Sequence, residues 1–408
     1  MIEKNYDIAI IGGGASGLVS AIFAKGQNPA LSVAIFESNP RVGKKLLTTG
    51  NGRCNLGNMG NLSGRYHGDT DFAEKVLNSF NTRCTIDFFQ SIGVECIELE
   101  EGKLYPMCLQ ANGVVDQLRF RTDELGVVTL AERKVEKIEK ANKSFTIYSN
   151  NEVFTAKKVI IATGGCAAPK SGSKGDGYTF LTNFGHKKTP TRPAIVQVIT
   201  KTDLTKALAG IKVEGEISLT TKKGSRTEKG EILFTEYGLS GPPVLQVSRM
   251  VAECGQGDVS IDFLPEMDFN EVLSILKRRM DTLNSRTADQ LLLGFLNKRV
   301  GEVVIKSAGI SLATPICELK EKQLKDITAK IKKFPMSATG TKGFDNAQVT
   351  AGGISTKDFD VNTMESKLVK GLYATGEVLD VDGDCGGFNL QWAWATGYLA
   401  GISAAKNK

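Results

Sequence analysis

Three glycines, Gly12, Gly14 and Gly17, stand in the order Gly-x-Gly-x-x-Gly, and an acid, Glu37, follows the last of them by twenty residues. Glycine at the first position permits a tight turn, and at the second lets a pyrophosphate approach the backbone. At the third it lets a helix pack closely on a strand. The flanking residues supply the frame. Asp7 to Ile11 is an apolar run of the buried-strand type, Ala15 to Lys25 has helical composition, and Ser32 to Phe36 reads as a second strand ending at Glu37. A helix N-terminus would face the diphosphate and the Glu37 carboxylate would accept ribose hydroxyls, so this βαβ unit predicts a bound dinucleotide.

The glycine loop suits NAD and FAD equally, and three later segments favour FAD. Arg41 to Lys45 and Thr49 to Asn55 form a glycine-rich basic stretch directly after Glu37. Ile160 to Gly165 is an apolar strand with a small-residue turn, following a meander-like region. Tyr373 to Glu377 is a late strand, followed by Asp380, Asp382, Gly383 and Gly386-Gly387-Phe388-Asn389. In flavoproteins of the glutathione-reductase type such a strand runs beside the ribityl chain, and the next helix directs its dipole at the flavin pyrimidine.

The motifs Thr49-Gly50-Asn51-Gly52-Arg53-Cys54-Asn55, Phe234-Thr235 with Gly238 to Pro242, Val349 to Gly353, and Gly386 to Ala393 resemble the YhiN-like/BaiN family of bacterial flavoproteins over nearly the whole chain. The resemblance implies an FAD-binding Rossmann domain, a β-barrel-like second domain and a small helical third one. It places Gly12, Gly14, Ala15 and Gly17 at the diphosphate and Glu37 at the adenosine ribose. The backbone of Val135 is placed at adenine, and Lys45, Arg53, Cys54 and Asn55 along the cofactor. Glu377, Asn389 and Leu390 fall near the ribityl chain and ring. The motif neighbours Ser16, Ser38, Thr163, Gly164, Gly376, Gly387 and Phe388 complete the expected cofactor-binding set. Family activities include an aminoacetone oxidase and a 3-dehydro-bile-acid reductase. Two places depart from the family pattern: Glu236 stands where the family often has His, and the loop after Gly165 lacks the aromatic residue often found near Ala168.

The implied function is FAD-dependent oxidoreduction through flavin N5. NAD(P)H-dependent reduction of a conjugated enone, such as a 3-dehydro-bile acid, is the preferred form. An amine oxidase using oxygen is one alternative, and a flavin-binding RNA-modification or regulatory protein is another. The chain has no second complete Gly-x-Gly-x-x-Gly unit, so NADH or NADPH would bind transiently or in an atypical site. Tyr105, Tyr237 and Glu236 are the candidate proton-transfer groups. The two histidines, His67 and His186, lie in polar loop-like contexts that suggest surface or structural roles, and Cys54 lacks a partner cysteine for redox exchange.

The elements that must position these residues give an α/β chain. Residues 1–190 and 346–408 read as a discontinuous FAD-binding domain. A β-rich insertion covers 191–265 and 311–345, and a helical subdomain 266–310. Val127 to Leu130, Val135 to Glu139, Phe145 to Tyr148 and Val153 to Ala156 read as a four-stranded meander ahead of a separate strand at Lys158 to Ala162. The expected substrate cavity lies between the Rossmann domain and the insertion. The formal charge is +6, but opposite signs interleave, which favours a small-molecule substrate and no nucleic-acid or membrane partner. The eight cysteines form no Cys-x-x-Cys pair and no metal-ligand spacing. With no apolar span or leader, a cytoplasmic protein is expected. The sequence leaves the oligomeric state open.

Overall fold

In the computed structural model, residues 4–201 and 206–406 are described. The chain divides into two units, Met1–Arg192 with Gln348–Lys408, and Pro193–Ala347. None of the helices among the described residues is long and apolar enough to cross a membrane.

The first unit is built on a seven-stranded sheet. The strand Asn5–Ile11 pairs in parallel with Val33–Phe36 on one side and with Glu152–Ile161 on the other. Val128–Leu130 extends the sheet beyond Val33–Phe36, also in parallel, and Leu372–Ala374 pairs in parallel with the end of Glu152–Ile161. Four-residue Val33–Phe36 is buried throughout, as expected of a strand covered on both faces.

Two sequence expectations change here. Val128–Leu130 is not part of the meander, which has three strands, Val135–Ala141, Ser144–Ser149 and Glu152–Ile161. The segment expected as two strands, Val153 to Ala156 and Lys158 to Ala162, is one strand of ten residues. Its burial alternates at first and then becomes continuous, because the first half pairs at the sheet margin while Val159–Ile161 lies between Asn5–Ile11 and Leu372–Ala374. A change of environment within one strand mimics a break in the pattern.

The helix Ala15–Gln27 follows the glycine loop, and the eighteen-residue closing helix Phe388–Ala405 packs against it. Their approach depends on small residues. A Cβ added to Gly397 would fall 2.6 Å from the Ser16 carbonyl oxygen, and one on Gly401 would fall 2.5 Å from that of Ser20. Trp392 and Trp394 are almost wholly buried and spend their indole N–H groups on Gly376 O (3.1 Å) and Leu56 O (2.8 Å). The helix is therefore an internal strut that ties two loops to the sheet.

The second unit is a closed barrel of strands Val198–Thr200, Gly238–Ser240, Gly224–Thr235, Lys212–Thr221, Gly257–Asp262 and Phe334–Thr341, in that order. The first barrel strand begins only at Val198. The Gly-Pro-rich motif from Gly238 gives a three-residue strand and then the helix Pro242–Cys254, which has proline in its first turn. The expected helical subdomain 266–310 holds two α-helices, Phe269–Thr282 and Lys298–Ser307, the first opened by an Asp268–Glu271 capping box, and a short 3-10 turn at Ala288–Gln290. These helices and Glu321–Lys332 share one apolar core with the barrel.

Candidate functional site

The glycine loop begins where Asn5–Ile11 ends. Gly12 has φ +108°, and a Cβ there would lie 2.5 Å from Ala162 O. A Cβ on Gly17 would lie 2.0 Å from Gly12 O. Both glycines are therefore required by packing. Gly14 differs: a Cβ there would meet nothing within 4 Å, and Gly14 caps the helix Ala15–Gln27 with no side-chain hydrogen bond. Ala15 continues this open helix start. The loop thus presents free backbone donors on its outer side, which is what a diphosphate needs.

Glu37 holds the other end of this cradle. One carboxylate oxygen accepts Gly13 N–H at 2.9 Å, and the other accepts both the backbone and side-chain N–H of Asn39 at 2.7 Å. The Ser38 hydroxyl adds a bond at 3.3 Å. Oε1 thus carries three bonds and Oε2 only one, so Oε2 is the oxygen that keeps a lone pair for a ribose hydroxyl. Arg133 N–H bonds Glu37 O at 2.8 Å, which brings the chain just before buried Val135 to the same edge. Asn39 is a contributor that motif reading missed.

A second cluster centres on Glu377. It accepts from Lys45 Nζ at 2.7 Å with one oxygen and from Thr350 N–H at 2.8 Å with the other. The Thr350 hydroxyl accepts the N–H groups of Cys166 (2.8 Å) and Ala167 (2.9 Å). Ser173 Oγ donates to Gly165 O, and a Cβ on Gly164 would sit 2.7 Å from that hydroxyl. Thr163 packs tightly on Gly177. Gly376 is gripped by the closing helix: its N–H bonds Thr396 Oγ1 and its carbonyl accepts from Trp392. Ser16 Oγ accepts the Thr375 hydroxyl at 3.1 Å, so its side chain is turned inward. Thr350 lies in the Val349 to Gly353 motif but is not singled out there, and Ser173 carries no motif, so only the fold reveals their part. Nearby Tyr178 is buried with its hydroxyl lacking a hydrogen-bond partner, and burial holds its pKa far above the usual tyrosine value.

The third cluster joins Thr49–Asn55 to the start of the closing helix. Gly50, Asn51, Gly52 and Cys54 all have positive φ, so the chain coils tightly here. Cys54 is fully buried, and burial pushes its thiol up to about 12 despite a bond from Thr49. It is a packed thiol, not a nucleophile. Arg53 lies exposed over the ring of Tyr105, 4.9 Å from its centre, and Tyr105 is itself buried. The buried Asn55 Oδ1 has no hydrogen-bond partner. A Cβ on Gly387 would fall 2.6 Å from it, and Gly387 caps the closing helix with no side-chain bond. An orphaned acceptor beside free helix donors matches a ring edge carrying both N–H and carbonyl groups, as a flavin pyrimidine does. Phe388 is buried against Tyr66, and half-buried Leu390 lies in the first turn of the helix. Asn389 uses its amide to clamp Gly383, donating at 2.7 Å and accepting at 2.8 Å. That leaves its backbone N–H for a ligand.

The proton-transfer candidates fall in different units. Tyr105 belongs to the first unit, whereas Glu236 and Tyr237 occupy the turn after Gly224–Thr235 in the second. Glu236 is exposed, and Tyr237 lies under Lys342 Nζ at 4.5 Å. His186 is buried rather than at the surface, stacked on Phe359 and bonded to Ser366. His67 instead meets Asp384, close to the third cluster.

The HI0933-like protein Rossmann domain family matches residues 6–403. A 3-dehydro-bile acid delta(4,6)-reductase of Clostridium scindens is 39% identical over 98% of this chain and 99% of its own length. A ribosomal RNA dihydrouridine synthase of Haemophilus influenzae is 31% identical over 97% of this chain and 98% of its own length. The structure of a 3-ketosteroid delta1-dehydrogenase from Sterolibacterium denitrificans aligns with a TM-score of 0.51 at 13% identity, covering 99% of this chain and 100% of that one. This last likeness concerns the fold alone.

Proposed function

Because this chain belongs to the HI0933-like Rossmann family and is an FAD-dependent oxidoreductase, we propose that it reduces a carbon–carbon double bond conjugated to a carbonyl. A 3-oxo bile acid or similar enone is the preferred substrate, and NADH or NADPH the electron donor. The observation that carries this reading is the 39% identity, end to end, to a 3-dehydro-bile acid reductase. The reaction fits a cytoplasmic protein with a small-molecule substrate.

When bound, FAD supplies a two-electron hydride at N5. The chain's own part is to hold and polarise it. Gly12, Gly14, Ala15 and Gly17 would receive the diphosphate, Glu37 the adenosine ribose and Val135's backbone the adenine. Lys45 and Glu377 would flank the ribityl chain. Asn55 Oδ1 would accept from the ring edge, while the backbone N–H groups at the start of the closing helix donate to it and favour negative charge there. Cys54, fixed as a neutral thiol, shapes the wall without exchanging electrons.

A second reading directs the same chemistry to the uracil ring of RNA, and the 31% identical dihydrouridine synthase supports it. Uridine also presents a double bond conjugated to a carbonyl. Against it stands the sign-mixed surface, where Lys212, Lys223 and Lys229 all pair with glutamates. Oxygen-dependent amine oxidation is the third alternative.

Anaerobic titration of the yellow holoenzyme separates them. NADH or NADPH should bleach the flavin, and a 3-oxo-4-ene bile acid should restore its colour with formation of the saturated ketone. Restoration by uridine-containing RNA alone would select the second reading. Reduction by aminoacetone with peroxide release in air would select the oxidase. Failure of every enone to reoxidise the reduced protein would refute enone reduction.

A further inference from the structure

Two histidines occur in the chain, and one of them is built like a proton donor. His67 lies on the short strand Tyr66–Gly68, which pairs antiparallel with Val381–Gly383, just ahead of the closing helix. Its Nε2 contacts Asp384 Oδ1 at 2.9 Å. The Asp384 side chain is 4% exposed and that of His67 is 26% exposed. Asp384 is fixed by its surroundings: its N–H bonds Arg65 O at 2.8 Å, its carbonyl accepts from Asn389 at 3.3 Å, and Arg65 Nη1 lies 3.4 Å from Oδ2. Among the described residues, His67 Nδ1 makes no hydrogen bond. A buried carboxylate that orients one ring nitrogen and leaves the other open is the arrangement of a positioned acid–base imidazole.

The dyad is bound to the third cluster by several links. Tyr66 donates its hydroxyl to Phe388 O at 2.9 Å, and Arg65 lies over the Phe388 ring. Asn58 donates to Gly386 O at 3.0 Å, two residues from Asp384. The same stretch thus carries the uncapped helix start that would meet the cofactor ring and the carboxylate that aims His67. A solvated surface histidine would need no such buried partner.

We propose that His67 delivers the proton that completes double-bond reduction, with Asp384 as its positioning residue. This rests on the enone reading above. Reduction consumes one hydride and one proton. The hydride, from the reduced cofactor, forms the C–H bond at the β carbon, and the π pair moves toward the α carbon and carbonyl. The proton on His67 Nδ1 forms the second C–H bond at the α carbon. The neutral imidazole left behind takes a proton from solvent, to which it is partly open. The cofactor ends oxidised and the substrate reduced by two electrons.

Rapid mixing of holoenzyme tests this step apart from the others. His67→Gln should leave FAD content and NAD(P)H bleaching within about two-fold of wild type, and slow reoxidation by the 3-oxo-4-ene bile acid about 100-fold, the usual size of a general-acid effect. Added imidazole should restore part of the rate. Asp384→Asn should slow the same half-reaction. Independently of turnover, ¹⁵N-histidine spectra of the oxidised holoenzyme, assigned by the single remaining signal set in His67→Gln, should show the His67 nitrogens shifting when the saturated ketone is added. Reoxidation of His67→Gln at the wild-type rate overturns the proposal while the enone reading stands. So does a His67 signal unmoved at saturating ketone, and so does a parallel fall in FAD content, bleaching and reoxidation in both variants. A wild-type enzyme that no enone reoxidises overturns both.

Discussion

At the scale of single residues, environment overrides residue type. Cys54 lies in the most cofactor-like motif of the chain, yet full burial keeps its thiol protonated, at about 12. The two histidines have opposite surroundings. His186 is 3% exposed, stacked 4.4 Å from Phe359, and burial lowers its pKa, with Asp358 at 4.0 Å offsetting part of that effect. The sign of the consequence follows. An unfolded histidine takes up a proton near 6.5, the buried one resists it, and so stability is lost as pH falls below about 6.5 and regained as it rises. One such group contributes a slope of at most about 1.4 kcal/mol per pH unit. Thermal melts of wild type and His186→Gln between pH 7 and pH 5 check this: the wild-type Tm should fall more steeply. Parallel curves would show that His186 is not a source of the pH dependence. Both histidines sit in similar polar sequence contexts, so nothing local distinguished them; Ser366 and Phe359 around one, and Asp384 beside the other, come from distant parts of the chain.

At the scale of elements, the βαβ unit was legible because its signals are local. An apolar strand, a glycine turn and a helix each obey a short period. The structure separates the jobs of its glycines. Gly14→Val should leave the fold intact, since a side chain there meets open space, and should abolish FAD binding by filling that space. Gly17→Ala should weaken the fold itself by on the order of 3 kcal/mol, because its Cβ would strike the Gly12 carbonyl. Absorbance at the flavin band and Tm of the two apoproteins distinguish the outcomes. An apo Gly14→Val protein melting as low as Gly17→Ala would contradict this division. The single strand Glu152–Ile161 was read as two, and Phe334–Thr341 was not read as a strand at all. The first changes neighbours midway, and the second carries Pro335 and Gly340 within a short mixed run, with its place fixed by pairing to Gly257–Asp262 and Val198–Thr200. Propensity cannot report either circumstance.

At the scale of the whole molecule, the two units have different chain logic. Pro193–Ala347 is continuous and encloses its own apolar core, so residues 193–347 expressed alone should give a folded, colourless protein with a cooperative melt. A molten product without a sharp transition would show that the core does not suffice. Met1–Arg192 cannot be detached in the same way, because Leu372–Ala374 completes its sheet and Phe388–Ala405 packs on its first helix. The sequence by itself determined the α/β class, the dinucleotide loop with Glu37, the turn glycines and the motifs that mark the family. Each of these is a short-range pattern of size, polarity and backbone freedom. Only the tertiary structure decided the groupings at the candidate site: Lys45 with Glu377 across 332 positions, His67 with Asp384 across 317, and Cys166 with Thr350 across 184. Such pairs are set by sheet register and helix packing, and a polar side chain in a loop carries no local mark of the partner it will meet once water is excluded around both.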